Sequence, residues 1–516
     1  MATQTAHAAL RVPLESWSPL HPAAANHAES PGAVAASGPW ALPRSQALAR
    51  VLADANRRWG NPVEDELGRW LSGAEVVVTG QQPGLLGGPL LTLVKAAAVA
   101  AEVRGRQAAG RHAVGFLWLA TADDDLPEMG WGRVAAGEEV AEVREPGWER
   151  GMALGGCSPL SSACAEFLGV LRSQLPGENA GQAIDLAARC YAAGTPLGEA
   201  TAMFLGHLLV GTGVVLVDAL EPEVARAAAA FTNHVLEELP RCWEALEASE
   251  ERLKAKGWTL PLRISPQKLP VFRRVGERRV SVATVHGACP AGVLAEHSAH
   301  PERFLPNAWL RPLVADALLG TSVAFLGGAE LAYHVQTEDV RAAAGVTRPE
   351  WRLRPHVTVV TSAERRLAGQ LNVGPTEILR SSIPLRSLPG KATRRRVERL
   401  RAAVLEHLDR LVEDARKELP GFVGDVEATE KKLDAVVGWL DGRLASAATR
   451  DAEVSMGRWR RLKAFLRPGG QPQERRLSVL APLLRLGLGW PRQLVEVLNP
   501  ADPGMHLLYW GEGGSW

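Results

Sequence analysis

Short uncharged runs alternate with longer stretches of helix-forming residues along this chain, and the first clear case is VVVTGQQPGLLGGPLLTLVKAAAVA at 76–100. Val76, Val77 and Val78 are β-branched and uncharged, which suits a strand buried on both faces. From Pro89 onward the residues favour helix, and proline suits a helix start because its missing N–H would have no partner there. A second apolar run, VGFLWLA at 114–120, closes on Thr121-Ala122-Asp123-Asp124-Asp125. Strand, helix and strand in that order predict a βαβ unit with parallel pairing. Further strands are expected at 214–218 (VVLVD), 321–327 (TSVAFLG) and 357–361 (VTVVT), each followed by a helical stretch, so α/β layering extends to about residue 380.

The same patterning divides the chain. Residues 1–130 are expected to hold the first part of the core, with a Pro- and Ala-rich irregular stretch at 1–45 and a helix near Ser45–Trp59. Residues 131–200 do not continue the alternation and read as a connecting insertion; 201–380 return to the core, with a small antiparallel piece near 257–290. Beyond SSIPLRSLPGKATRR (381–395), Val397, Leu400, Val404, Leu408, Leu411 and Ala415 repeat at spacings of three and four among many charges. KELPGFVGD breaks the repeat, and Leu433, Val437, Leu440 and Leu444 resume it. Two long antiparallel helices, a coiled-coil hairpin over 391–466, account for this seam. A polar coil of that length needs a partner helix, and a homodimer is the simplest source of one. The tail, 471–516, reads as two helices and a final strand, MHLLYW, returning to the core.

Composition narrows the function classes. The 516 residues carry 58 basic and 57 acidic side chains, a net charge of +1, so no field is built for nucleic acid or an anionic membrane surface. The most membrane-like run, 201–220, is interrupted by His207 and Gly211-Thr212-Gly213 and closes on Asp218, so a helix followed by a buried strand explains it better than a span. The five cysteines, Cys157, Cys164, Cys190, Cys242 and Cys289, have no CxxC spacing, so neither a disulfide framework nor a zinc or iron–sulfur site is expected. Reduced thiols and the lack of an apolar stretch behind a basic start at the N-terminus lead to the expectation of a cytoplasmic protein.

Chemistry gathers at the strand ends. Between Val78 and Pro89 lie Thr79, Gly80, Gln81, Gln82, Pro83, Gly84, Gly87 and Gly88. A glycine-rich turn between strand and helix can direct backbone N–H groups at an anion, although neither GxxxxGK[ST] nor GxGxxG is present. Tight strand–helix packing is the alternative. Ligands of parallel sheets bind at the carboxyl ends of strands, which puts this turn and Asp123–Asp125 side by side on one rim.

Several blocks together resemble a known family. TGQQPGLLGGPLLTLVKA (79–96), LWLATADDDLPEM (117–129), LPNAWLRPLVADALLGTSVAFLGGAELAYHVQ (305–336), Arg354 in WRLRPHVTVV, PQERRLSVLAPLL (471–483) and the closing MHLLYW occur in the order found in the cysteine-adding enzymes of bacillithiol biosynthesis, the BshC family. The resemblance implies a Rossmann-like core with connecting insertions, a C-terminal α-helical coiled coil that dimerises, and a ligase joining the carboxylate of cysteine to the amine of glucosaminyl malate. A free carboxylate does not condense spontaneously with an amine at neutral pH, so activation is required; ATP is the natural activator to test, with Mg²⁺ as its companion ion. The chain departs from the family's Glu-Asp-His-Asp turn, with Ala122 in place of the glutamate and Asp124 in place of the histidine.

On this basis Thr79, Gly80, Gln81, Gln82, Gly84 and Gly88 are the candidate nucleotide or substrate cradle, and Lys95 either reaches a phosphate or is a solvated surface lysine. Asp123, Asp124 and Asp125 are the candidate catalytic carboxylates, binding Mg²⁺ or deprotonating the incoming ammonium, against the alternative of helix caps. Asn307, Arg311 and Asp316 form a further group in which Arg311 could grip carboxylates bidentately or pair with Asp316. Gly327, Gly328 and Glu330 form a second glycine turn, and Tyr333, Arg354, Asp218 and Gln473-Glu474-Arg475 are lesser candidates. His334 and His506 are the histidines that could replace the missing imidazole. Two other functions remain open at this point: an amide-forming or nucleotidylyl-transferring enzyme with another substrate, and a non-catalytic coiled-coil scaffold.

Overall fold

The computed structural model describes residues 6–12, 40–374, 377, 379, 391–446 and 450–510, with the side chains of 6–12, 391–395, 441–446 and 450–452 outside the description. Five strands, Glu75–Gln81, Ala113–Leu119, Val214–Asp218, Thr321–Leu326 and Glu350–Leu353, form one sheet in which every pairing is parallel. In space the order is third, second, first, fourth, fifth. The chain thus winds outward in one direction from the first strand and later in the other from the fourth. The switch between Glu75–Gln81 and Thr321–Leu326 opens a crevice at their carboxyl ends, the place where ligands bind in such sheets.

Side chains alternate along each strand and feed two separate cores. Val77, Leu117, Leu119, Leu216 and Phe325 pack on one face with the helices Leu91–Ala108 and Leu197–Leu209. Val76, Val78, Phe116, Trp118, Val217 and Leu326 pack on the other with Gln46–Arg58, Pro222–Glu237 and Leu310–Leu319. Burial on both faces is why these strands read as continuous apolar runs rather than as alternating ones. The helix at 45–59 forms as expected, with the Ser45 hydroxyl accepting from Leu48 N at 3.1 Å.

Two expectations change. The run at 357–361 is a strand, His356–Thr361, but not of the parallel core; the fifth core strand is Glu350–Leu353. His356–Thr361 instead runs parallel to the closing strand Met505–Trp510, which pairs antiparallel with Ala6–Val12. Part of the N-terminal stretch expected to be irregular is therefore a strand, while 1–5 and 13–39 lie outside the described residues. The physical reason is that an edge strand needs only one hydrogen-bonding neighbour and little apolar run, so composition hides it.

The insertion contains a hairpin, Trp131–Ala136 with Glu139–Arg144, and the helices Ala163–Gln174 and Glu178–Cys190. The antiparallel piece is Lys268–Val275 with Arg278–Ala283, joined by Phe304–Pro306. The C-terminal helices are Lys391–Glu418, Val423–Ser446 and Arg450–Leu466; only the first two make the hairpin, and the third buries Trp459, Leu462 and Phe465 against the body. Within the hairpin, Val404, Leu408, Ala415, Val426, Leu433 and Val437 are at least partly buried, whereas Leu400 and Leu411 of the expected seam are 56% and 43% exposed. The side chain of Leu444 lies outside the described residues. The tail adds a single-turn helix, Gln473–Arg476, before Leu480–Leu486 and Trp490–Val497. No described helix is long and apolar enough to cross a membrane.

Candidate functional site

A cleft of about 420 Å³ occupies the switch point. Its floor is the end of the first strand, Thr79, Gly80, Gln81 and Gln82, and the turn after the fourth, Gly327 and Gly328; its walls include Lys95, Asp123, Glu128, Arg311, Glu330, Tyr333, Arg354 and Arg475. Chain regions more than two hundred residues apart thus converge on one crevice.

The two halves of the first glycine turn do different things. Thr79 to Gln82 face the cleft, whereas Gly84 and Gly88 lie behind it. Gly84 N–H donates to Thr201 Oγ1 at 3.1 Å and Gly87 N–H to the Tyr191 hydroxyl at 2.7 Å, while that hydroxyl donates to Gly84 O at 2.9 Å. A Cβ on Gly84 would lie 2.7 Å from Gly88 Cα, and Gly88 itself has φ +70°. These glycines serve packing: their amides are committed to Thr201, Tyr191 and Leu85 O rather than to a ligand.

Lys95 is not a solvated surface residue. Its side chain is 3% exposed, and Nζ donates to Gly80 O at 2.8 Å, to Gln81 Oε1 at 3.1 Å and to both Glu330 oxygens at 2.8 Å. Burial lowers its pKa and the Glu330 carboxylate opposes that. Glu330 also accepts Gly327 N–H at 2.5 Å, capping the start of the helix Gly328–Gln336. Burial disfavours the charged form of Glu330, and the Lys95 ammonium overrides it, leaving the carboxyl below its ordinary range. The pair ties one strand end to the other across the switch point, with Thr79 Oγ1 adding a bond to Phe325 O at 2.8 Å.

The acidic turn separates in the same way. Asp123 lines the cleft: Oδ2 accepts from Gln82 Nε2 at 2.7 Å, and Oδ1 accepts the Asp124 N–H at 2.8 Å. Asp124 pairs with Arg279 at 2.5 Å, and Arg279 reaches Asp123 Oδ1 at 3.4 Å as well. Asp125 pairs with Arg150. Asp123 and Asp124 thus share one cation while Asp125 turns to another, and among the described residues no three Asp, Glu, His or Cys side chains group to hold a metal.

Arg311 enters from the start of Leu310–Leu319, where Asn307 Oδ1 accepts the N–H groups of Trp309 and Leu310, both at 3.1 Å. Asn307 therefore positions the helix and does not itself line the cleft. The expected alternative pairing of Arg311 with Asp316 does not form, because Asp316 is taken by Arg341 at 2.7 Å. Arg311 instead bonds Tyr333, whose hydroxyl burial pushes up to about 12. Arg354, 2% exposed, is held by Glu474 at 2.7 Å. The Gln473–Arg476 helix both packs and reaches the site: Glu474 accepts Val357 N–H at 3.0 Å and Gln473 accepts Val359 N–H at 2.7 Å, while Arg475 faces the cleft. Asp218 is a cap, accepting Leu220 N–H at 2.9 Å and the Thr121 hydroxyl.

Of the two histidines, His334 is in the cleft wall between the rings of Tyr333 and Trp351, and burial holds it far below its ordinary pKa. His506 lies in the outer sheet and contacts Asp502 O at 3.0 Å. Sequence reasoning passed over Glu128, Arg279, Trp118 and Trp131. Glu128 follows the aspartates by three residues and could have been found from that spacing; Arg279 approaches from a distant hairpin, and nothing local signals it.

Comparison with known proteins gives two family matches. Bacillithiol biosynthesis BshC, N-terminal Rossmann-like domain, matches residues 37–355, and Bacillithiol biosynthesis BshC, C-terminal coiled-coil domain, matches 385–510. A Thermus thermophilus protein named "Putative cysteine ligase BshC" is 30% identical over 433 residues, spanning 80% of this chain and 84% of its own. Proteins of the same name from Solibacter usitatus and Bacillus cereus (strain AH187) are 26% and 24% identical, over 87% and 84% of each chain.

Proposed function

Since the chain belongs to the BshC family of bacillithiol biosynthesis, we propose that it is a ligase forming an amide between the carboxylate of cysteine and the amine of glucosaminyl malate. The observation that carries this reading is the division of charge in the cleft. Arg311 and Arg475, neither in an ion pair with a described residue, face the same space as Asp123 and Glu128. Guanidinium groups match the two carboxylates of malate, and the acidic wall suits the ammonium of the same substrate. Tyr333 and Asn307 support this by fixing Arg311 and the helix that presents it.

Activation of the cysteine carboxylate falls to the glycine-turn floor and the cations beside it. ATP, when bound, would convert that carboxylate into a mixed anhydride that an amine can attack. Thr79–Gln82, Gly327 and Gly328 are the residues that would hold it, with the positive charges of Lys95 and Arg354 behind them. Among the carboxylates proposed for Mg²⁺, Asp123 alone lines the cleft, so a bound Mg²⁺ would rely on one carboxylate and on phosphate oxygens, as this ion commonly does. The Ala122 and Asp124 departures favour a second reading, an amide-forming enzyme with a different amine. Arg279 occupies Asp124 and leaves no titrating imidazole at that point of the turn.

Homodimerisation through the coiled coil is part of the proposal. Leu400, Leu411 and Val436 remain 43–56% exposed after the hairpin has closed, and a second hairpin would cover them. Incubation with glucosaminyl malate, cysteine, ATP and Mg²⁺, read by mass spectrometry, tests the reaction. A product of the summed masses less one water is expected. Intact substrates with ATP consumed on another amine would move the assignment to the second reading.

A further inference from the structure

The cleft holds four carboxylates, and three of them are already in ion pairs. Glu330 is paired with Lys95, Asp316 with Arg341, and Asp123 with Arg279 while it also accepts from Gln82. Asp124, behind the cleft, shares Arg279 with Asp123, and Asp125 pairs with Arg150. Among the described residues Glu128 is the cleft carboxylate with no ion pair. It stands on the single turn Leu126–Met129 and is exposed to the open cleft.

We propose that Glu128, rather than the aspartates before it, takes the proton from the attacking amine. The inference rests on the ligase reading above. The substrate arrives as an ammonium; its N–H proton passes to the Glu128 carboxylate, leaving a neutral amine and a neutral carboxylic acid. The nitrogen lone pair then forms the C–N bond to the activated acyl carbon as the bond from that carbon to the phosphate leaving group breaks. The second nitrogen proton leaves with that phosphate. Asp123 acts by position: paired with Arg279, it accepts from Gln82, which hydrogen-bonds Glu128 in turn.

The surroundings suit a base. Partial desolvation by the cleft wall raises the Glu128 pKa first, the Asp125 and then Asp123 charges add to it, and the Gln82 hydrogen bond and Arg150 oppose it. The net direction is upward, toward the operating pH, where general bases work best.

The test compares wild type with Glu128→Gln and Glu128→Asp using two nucleophiles, glucosaminyl malate and hydroxylamine, with cysteine, ATP and Mg²⁺. Hydroxylamine is uncharged at neutral pH and needs no base. Glu128→Gln should lose amide formation with glucosaminyl malate by about 10²–10⁴-fold while still yielding cysteinyl hydroxamate, and Glu128→Asp should recover part of the loss. The acid limb of the wild-type pH profile should lie above the ordinary glutamate range and vanish in Glu128→Gln. Equal loss with both nucleophiles, or no loss with either, overturns the assignment of the base while leaving the ligase reading intact. Wild type that makes hydroxamate but no amide with glucosaminyl malate overturns the amine assignment, and this inference falls with it.

Discussion

Glu474 shows how much a single side chain can hold. It is fully buried, and it accepts from Arg354 and His356 at 2.7 Å each and from Val357 N–H. Burial alone would raise its pKa, but the Arg354 guanidinium and then His356 override this and hold the carboxyl well below its usual range. A folded-state value below the unfolded one means that its stabilisation is present above the unfolded glutamate range, near 4.3, and is lost as pH falls through the folded value. Glu474→Gln should therefore cost about 3–5 kcal/mol at pH 7 by leaving Arg354 buried without its counter-charge. The gap to wild type should narrow below about pH 4. Urea unfolding at several pH values checks both, and equal stability at pH 7 would refute the account. At this scale the sequence marked Arg354, Arg311 and Lys95 as candidates, but not their partners. Lys95 looked as much like a surface residue as a buried one, because its counter-ion Glu330 is 235 positions away.

The glycine turn is one element with two jobs, and its rear half depends on the insertion. Tyr191, buried and with its hydroxyl pushed far up by burial, bridges Gly87 N–H and Gly84 O. Tyr191→Phe should cost about 1–3 kcal/mol, the cost of leaving buried backbone groups unpaired. Gly88→Ala, at φ +70°, should cost a comparable amount through backbone strain. Both should lower the thermal midpoint by several degrees. Since Thr79–Gln82 are a separate stretch, substrate affinity of the remaining folded fraction should change less than stability; a large loss of affinity with an unchanged melting temperature would place Gly84–Gly88 in the cradle after all. The turn was recognisable from its glycines. Its division was not, because the sequence shows where the chain bends but not which neighbour receives each amide.

At the scale of the molecule, the hairpin Lys391–Ser446 leaves apolar side chains uncovered that its own seam cannot reach. Leu411→Asp together with Val436→Asp should shift the protein from dimer to monomer in light scattering after size exclusion, with the melting of the α/β body unchanged. A wild-type monomer at micromolar concentration would remove the dimer from the proposal. Parallel order, the carboxyl-end rim and the coiled coil were all legible in the sequence, since apolar runs and heptad spacing are local signals. The place of 356–361 was not: an apolar β-branched run fits any sheet, and only pairing with Met505–Trp510 decides which.

The sequence by itself determined the family, the succession of strands and helices, and the stretches in which the chemistry lies, because these depend on residue type and spacing along the chain. The tertiary structure alone decided which charges are spent and which are left. Arg279, Arg341, Glu330 and Glu474 each neutralise a cleft residue from a distant segment. Ion pairing depends on separation in space, and the parallel crossovers that create the switch point bring together groups hundreds of residues apart. Glu128 and Arg311, the proposed base and anion binder, stand out because of that pairing around them.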